Sequence, residues 1–312
     1  MSDLADRRGV LYPDRLPTFH RENAPSELCD RIRWFWIPRW RLAPGETSRQ
    51  ELLPFPASNL VVEPGGVSLS GPTTGISHRD LRGTGWAVGA LLRPAGLASL
   101  TTAPQRLRDA ETPFVSAELH RAVAEAMSGA RVGSEAGSET GSEAGSEAGP
   151  EANEALGGTS GTVGGTSAVD QREAVARGRA IHAFSAWAAE HLAPPDDGGA
   201  LANAMEDLIA SDRSIVRVGQ VAAVLGVSTR GVQRLAHRYV GVTPLAMIRR
   251  YRLQEAAQRL RDDPSVTIAQ IAADLGYSDH AHLSADFRTV LGRSPNSYRR
   301  GPGAAAKGSS DG

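Results

Sequence analysis

The apolar positions of this chain follow one period in its first third and another in its last. Trp34-Phe35-Trp36-Ile37, Asn59-Leu60-Val61-Val62, Val67-Ser68-Leu69 and the stretch from Trp86 to Leu92 are short β-prone runs. Pro54, Pro56, Pro64-Gly65-Gly66 and Gly71-Pro72 punctuate them. Aromatic and β-branched runs between such breakers predict an antiparallel sheet or small barrel. From Pro113 to Met127 the spacing becomes helical, with Leu119, Val123 and Met127 on one face. A further helix is predicted from Gln171 to His191, ahead of Pro194-Pro195.

From Leu201 the pattern stays helical. Leu201, Met205, Leu208 and Ile209 form one apolar stripe, and Val218, Val221, Ala222 and Leu225 a shorter second one. Gly226 supplies the permissive backbone of a tight turn, and Ser228 is placed to cap the helix Thr229 to Val240. Helix, glycine turn and capped helix make a helix-turn-helix. The pattern recurs: Ile268, Ile271, Ala272 and Leu275, then Gly276, then a helix beginning at Ser278-Asp279 with Leu283, Phe287 and Val290 inside. Between the two, Pro244 opens a helix that runs to Asp262 and stops at Pro264. At ~1.5 Å per residue this connector spans on the order of 28 Å. Adjacent major grooves on one DNA face recur about every 34 Å, so slight bending would let both units reach DNA together.

Composition adds a division of the chain. Its 312 residues, 40% of them hydrophobic, suit two folded units. Residues 128–168 collapse to Gly, Ser, Glu, Ala and Thr, with a Gly-Ser-Glu-Ala near-repeat from Gly133 to Pro150. Such a segment predicts a flexible, self-repelling tether. The expected fold class is multidomain α+β: an amino-terminal β-rich, small barrel-like domain with helices, and a carboxy-terminal all-α domain of two helix-turn-helix units joined by a long helix. The expected boundaries are 1–127 for a sensor or dimerisation domain, 128–168 for the linker, 169–200 for a helical connector, 201–301 for the double unit and 302–312 for a flexible tail.

Charge separates the same halves. The formal net charge is −1, yet residues 214–300 hold 13 Arg against 6 Asp and Glu, while the remainder is acidic. A basic segment on an acidic body is the footprint of a part that meets phosphate. The lone Cys29 cannot close an internal disulfide and is expected as a small packed residue in a reducing compartment. No continuous apolar stretch follows the charged Met1 to Arg8, so neither a signal peptide nor a membrane span is expected.

In the first capped helix Val232, Leu235, Ala236 and Tyr239 face inward, leaving Arg230, Gln233, Arg234 and Arg238 outside. Arg donates a bidentate pair to guanine, Gln pairs with adenine, and a more distal Arg holds a phosphate. The outside of the second helix carries His280, His282, Ser284 and Arg288. A single charged helix face is more often plain solvated surface, but the repetition favours a DNA-binding reading.

This segment resembles the AraC/XylS family of bacterial regulators. The likeness is carried by Val221 to Ser228, Gln233-Arg234, Gly241-Val242-Thr243-Pro244, Arg252-Leu253-Gln254-Glu255-Ala256, Ile271 to Asp279, Ser294-Pro295 and Tyr298-Arg299. It implies a module that binds double-stranded promoter DNA, with RNA polymerase as a further partner, in the bacterial cytoplasm at the nucleoid. Carried over by position, Arg230, Gln233 and Arg234 fall on the base-reading face and Ser228 near the phosphate backbone. The second unit departs from the pattern, because Ala285 stands where Arg is common and Asp286 would repel phosphate. The first unit is therefore expected to read sequence and the second to position the protein.

The partner domain in this family senses a small molecule, dimerises, or does both. Leu52 to Gly96 resembles, more loosely, an amino-terminal domain often found ahead of such modules. A barrel interior would offer a pocket, with Trp34, Trp36, Trp40 and Trp86 as lining or as plain core aromatics. His20, His78 and His120 are too scattered for a metal barrel, and no phosphate loop, nucleophile elbow or triad spacing marks an enzyme. No cofactor is expected. The rival readings are a constitutive or architectural DNA binder whose front domain only dimerises, and an enzyme with a DNA-binding appendage.

Overall fold

The computed structural model describes residues 18–128 and 168–300, so the expected Gly/Ser/Glu/Ala linker and the carboxy-terminal tail lie essentially outside the described residues. The chain runs β1 (Thr18–Asn23), β2 (Ile32–Arg41), β3 (Thr47–Leu52), β4 (Asn59–Glu63), β5 (Gly66–Ser70), β6 (Ser77–Arg82), β7 (Thr84–Trp86), β8 (Val88–Leu92), α1 (Pro94–Ala98) and β9 (Glu111–Pro113). Helices α2 (Ala117–Ser128) and α3 (Ala168–His191) follow. The carboxy-terminal part is helical: α4 (Asp197–Ser211), α5 (Val218–Val224), α6 (Thr229–Tyr239), α7 (Pro244–Asp262), α8 (Ile268–Asp274), α9 (His280–Leu291) and α10 (Pro295–Arg299).

The main sheet is antiparallel, in the order β1-β2-β8-β4-β5-β9, with β7 also on β2 and a separate pair β3-β6. Strand periodicity sends β2 two ways. Phe35 and Ile37 enter a core with α2 and α3, whereas Trp34, Trp36 and Trp40 face a cavity on the other side. Two glycines make room for the indoles. Gly85 pairs with Trp40 and Gly89 with Trp36, and a Cβ would approach these rings to 2.3 and 2.1 Å respectively.

Two expectations change, and the choice left open for Trp86 is settled. Helix α2 starts at Ala117 rather than Pro113, because Pro113 ends β9 and the Ser116 hydroxyl accepts the Leu119 amide at 3.3 Å. Cys29 is exposed rather than packed, since the short 3-10 turn Ser26–Leu28 turns Leu28 inward and leaves Cys29 at its end. Trp86 belongs to the core with α2 and α3 rather than to the cavity. Helix α3 joins that same core: Phe184 meets Phe35 and Trp187 edge-on at 5.4 and 6.3 Å.

The two helix-turn-helix units share α7. Met247, Ile248 and Tyr251 from its first half join the core of α4, α5 and α6, while Leu253, Ala256, Ala257 and Leu260 join that of α8, α9 and α10. Gly226 and Gly276 both take the left-handed backbone, at φ 66° and 68°, so the turn recurs in geometry as well as sequence.

The halves meet through polar groups, some buried and some at the rim. Asp207 on α4 pairs with Arg33, at 2.5 Å, and with Arg93, both from the sheet domain. Beside it Glu206, 1% exposed, lies 3.6 Å from Arg33 and accepts the Tyr251 hydroxyl at 3.2 Å. Burial lifts the Glu206 carboxyl above the usual range, and the guanidinium groups of Arg33 and Arg93 pull it back down. Asn203 accepts the Ala95 amide at 3.1 Å and donates to the Asp30 carbonyl at 2.6 Å.

Phe184→Ala is expected to cost about 3–5 kcal/mol of stability, as for other buried aromatic truncations. An unchanged denaturation midpoint would show that α3 does not complete the sheet-domain core.

Candidate nucleic-acid interface

Each recognition helix is started by its own side chain. Ser228 Oγ accepts the Gly231 amide at 3.1 Å, and Asp279 Oδ1 accepts the His282 amide at 2.7 Å. These caps satisfy amides that a helix start otherwise leaves unpaired. In α6 the buried Val232, Ala236 and Tyr239 fix the inner face, and the Tyr239 hydroxyl donates to Asp196 at 3.1 Å. Arg230, Gln233, Arg234 and Arg238 are all exposed on the remaining surface. Arg238 is the least extended in role, its guanidinium lying 5.2 Å from the Tyr239 ring centroid.

In α9 Leu283, Phe287 and Leu291 are buried, and His280, Ser284 and Arg288 follow one another along one stripe at four-residue intervals. His282 stands apart from them. Its Nδ1 lies 3.1 Å from Ser278 Oγ and its ring meets Tyr277 edge-on at 5.2 Å.

Matching the two caps gives a stricter comparison than sequence spacing did. With Ser228 set against Asp279, the buried Val232 and Ala236 fall on Leu283 and Phe287. Arg230, Gln233, Arg234 and Arg238 then correspond to Ala281, Ser284, Ala285 and Thr289. Where the first helix carries three Arg, the second presents two Ala and a Thr.

Asp286 departs from expectation. It is half-buried with Oδ2 fully enclosed, and its charge acts on Arg252, whose guanidinium lies 3.8 Å from the Tyr277 ring centroid. Burial pushes the Tyr277 phenol up. The acidic group is thus turned inward to a cation, and the uncharged residues around it, rather than repulsion by Asp286, set the second face apart.

The amino-terminal domain encloses a cavity of about 360 Å³. Trp34, Trp36, Trp40, Phe19 and Phe55 supply most of its aromatic wall. Trp36 Nε1 donates to Asn59 at 2.9 Å and Trp40 Nε1 to the Arg82 carbonyl at 3.1 Å, so both indoles are held. The Arg21 guanidinium lies over Trp34 at 4.4 Å. Phe55 escaped the sequence reading because Pro54 and Pro56 made it look like turn punctuation, and Phe19 because β1 lacks an apolar run. Alternation along β2 was the available signal.

Among the described residues no group of three or more His, Cys, Asp or Glu side chains is placed to hold a metal, and no helix is long and apolar enough to cross a membrane.

Residues 221–301 match a helix-turn-helix domain family. An AraC-like transcription regulator of Streptomyces lividans is 35% identical over 124 residues, 40% of this chain and 39% of that protein. Through this module the chain is similar to AraC-type regulators. The HTH-type transcriptional activator RhaS of Pectobacterium carotovorum is 35% identical to it over 86 residues, 27% of this chain and 30% of that one. The chain thus spans about two fifths or less of the length of these curated relatives. Among solved structures, the C-terminal domain of AraT, a response regulator from Geobacillus stearothermophilus, is similar over 32% of this chain and 84% of that one, with 26% identity and a TM-score of 0.31. Ahead of the AraC-type module, residues 20–112 match a domain of unknown function (DUF6597), and that stretch holds nearly all of the cavity wall.

Removing the cap with Ser228→Ala is expected to cost about 1 kcal/mol. Asp279→Ala should cost a similar amount, and denaturation curves superimposable on the unsubstituted protein would exclude a capping role for either residue.

Proposed function

We propose that this protein is a sequence-specific transcription regulator that binds double-stranded promoter DNA, with α6 reading bases and α9 mainly holding the duplex. The observation that carries the reading is the exposed set Arg230, Gln233 and Arg234 on the amino-terminal half of α6, set against Ala281, Ser284 and Ala285 on α9. Recognition helices present their amino-terminal residues to base edges, and an Arg or Gln there supplies paired donors or a donor and acceptor. Ser228, His280, His282, Ser284 and Arg288 complete the proposed DNA face, contributing to position more than to sequence preference. RNA polymerase and a second copy of the chain are the further partners implied by the family, and the cytoplasm at the nucleoid is the place of action.

The reading extends to an effector. A cavity of about 360 Å³ falls within the size range of small-molecule sites, and its five indole and phenyl rings stand beside aliphatic groups and a polar fringe that includes Arg21, Asn59 and His78. We assign it to a compact, mainly apolar, ring-bearing molecule, bound rather than transformed. The domain scheme follows: the β-rich part senses, and residues 201–301 bind DNA.

On duplexes selected from a random pool, Arg234→Ala is expected to cost about 1–3 kcal/mol and to relax preference at one base pair. Equal weakening on every sequence would remove its base-reading role. Arg238→Ala should instead weaken all duplexes alike and reduce the salt slope by about one, so an unaltered slope would count against phosphate contact.

For the effector, a ring-bearing compound present at about 100 times its Kd should stabilise the full chain by roughly 2.7 kcal/mol. A broad screen that yields no melting shift, together with unchanged DNA affinity, would favour a constitutive binder.

A further inference from the structure

The segment between β3 and β4 occupies three places at once. Leu53, 3% exposed, lies in the core of the second helix-turn-helix unit with Leu253 and Leu291. Two residues later Phe55 packs on the core of the first unit and meets Tyr251 edge-on at 5.7 Å. The Pro54 carbonyl between them accepts Gln254 Nε2 at 3.0 Å. The same Leu53 and Phe55 line the cavity, where Phe55 meets Trp34 at 5.9 Å. One tripeptide therefore touches both DNA-binding units, the helix that joins them, and the cavity.

The sheet domain also grips each recognition helix at its carboxy-terminal end. Gly241, two residues past α6, lies so close to Pro104 that a Cβ would stand 2.4 Å from its carbonyl oxygen. At the end of α9 the Val290 carbonyl accepts the Ile76 amide at 3.3 Å, and Arg293 pairs with Glu51 at 2.9 Å. The amino-terminal halves of both helices keep their exposed faces.

We propose that the amino-terminal domain, not α7 alone, sets the relative placement of the two recognition helices, and that Leu53-Pro54-Phe55 makes this placement depend on what fills the cavity. The proposal rests on the reading of α6 and α9 as DNA-contacting helices. A joining helix fixes a length, while the angle each small unit takes about its end depends on what else holds that unit. Here the other holds are at Gly241, Val290 and Arg293, with the tripeptide seated between them. Phe55 and Leu53 both border the cavity, so an occupant adds contacts to them and favours the tripeptide's seat on α7. Occupancy and simultaneous engagement of two DNA subsites then favour one another reciprocally.

The test uses the full chain and duplexes it selects from a random pool. One duplex spans both subsites, and a second is truncated so that it ends before the segment that α9 would hold. The two-subsite duplex should bind at least about 5-fold more tightly, the lower end of typical coupling. Phe55→Ala is expected to bring that ratio close to one while leaving affinity for the single-subsite duplex unchanged. Ala57→Leu, which adds atoms at the cavity wall, should raise the ratio. A wild-type ratio in Phe55→Ala overturns the proposal. If Phe55→Ala fails to fold, seen as lost binding to the single-subsite duplex, Ala57→Leu decides: a raised ratio supports the coupling and an unchanged one overturns it. Equal affinity of the unsubstituted chain for the full and the truncated duplex overturns the proposal while leaving DNA binding standing. Failure of the unsubstituted chain to bind any duplex overturns both.

Discussion

A helix covered along most of its length must find partners for the polar side chains it buries, and α7 is such a helix. Arg250 and Gln254 are 7% and 1% exposed. Arg250 donates to the Thr73 carbonyl at 2.8 Å and Gln254 to the Pro54 carbonyl at 3.0 Å, both in loops of the sheet domain. Leaving a buried donor unsatisfied costs more than the net worth of the bond, so these contacts tie the position of the sheet domain to α7. The apolar residues around them complete the two helix-turn-helix cores. The arrangement of cavity, clamp and DNA face follows from that one helix being shared.

This dependence explains what the sequence could and could not disclose. The repeated turn was legible because its parts are local: a positive-φ glycine, a capping Ser or Asp, and apolar residues at helical spacing around Gly226 and Gly276. The β-prone runs were legible for the same reason, as was most of the aromatic wall on β2. Arg250 and Gln254 gave no such signal, since a polar residue on a long helix reads as solvent-facing until another domain is placed over it. Asp286 misled in the opposite sense: its partner, Arg252, lies on a different helix. Cys29 was misassigned, and Trp86 left open between core and cavity, because chain direction at a 3-10 turn and strand face at a short β7 are decided by tertiary contact.

The unequal recognition helices have an electrostatic meaning beyond the count of arginines. On the proposed reading, long-range attraction to the polyanion would fall on the first unit, and α6 would govern orientation during encounter. The second unit presents a capped helix of similar length whose outer face carries a single Arg, Arg288, beside His280 and Ser284. A face with fewer cations costs less desolvation, which suits the proposed role in holding rather than choosing.

The seat of α7 on Pro54 joins residues 200 positions apart. During synthesis at ~5–20 residues per second, about 10–40 s pass between the emergence of Pro54 and that of Gln254. For that interval Leu53 and Phe55 have no helix to cover them, and Arg33 and Arg93 await Glu206 and Asp207. The nascent sheet domain therefore carries an apolar patch beside cations that have yet to meet their carboxylates, a surface suited to transient chaperone contact until the last third of the chain arrives.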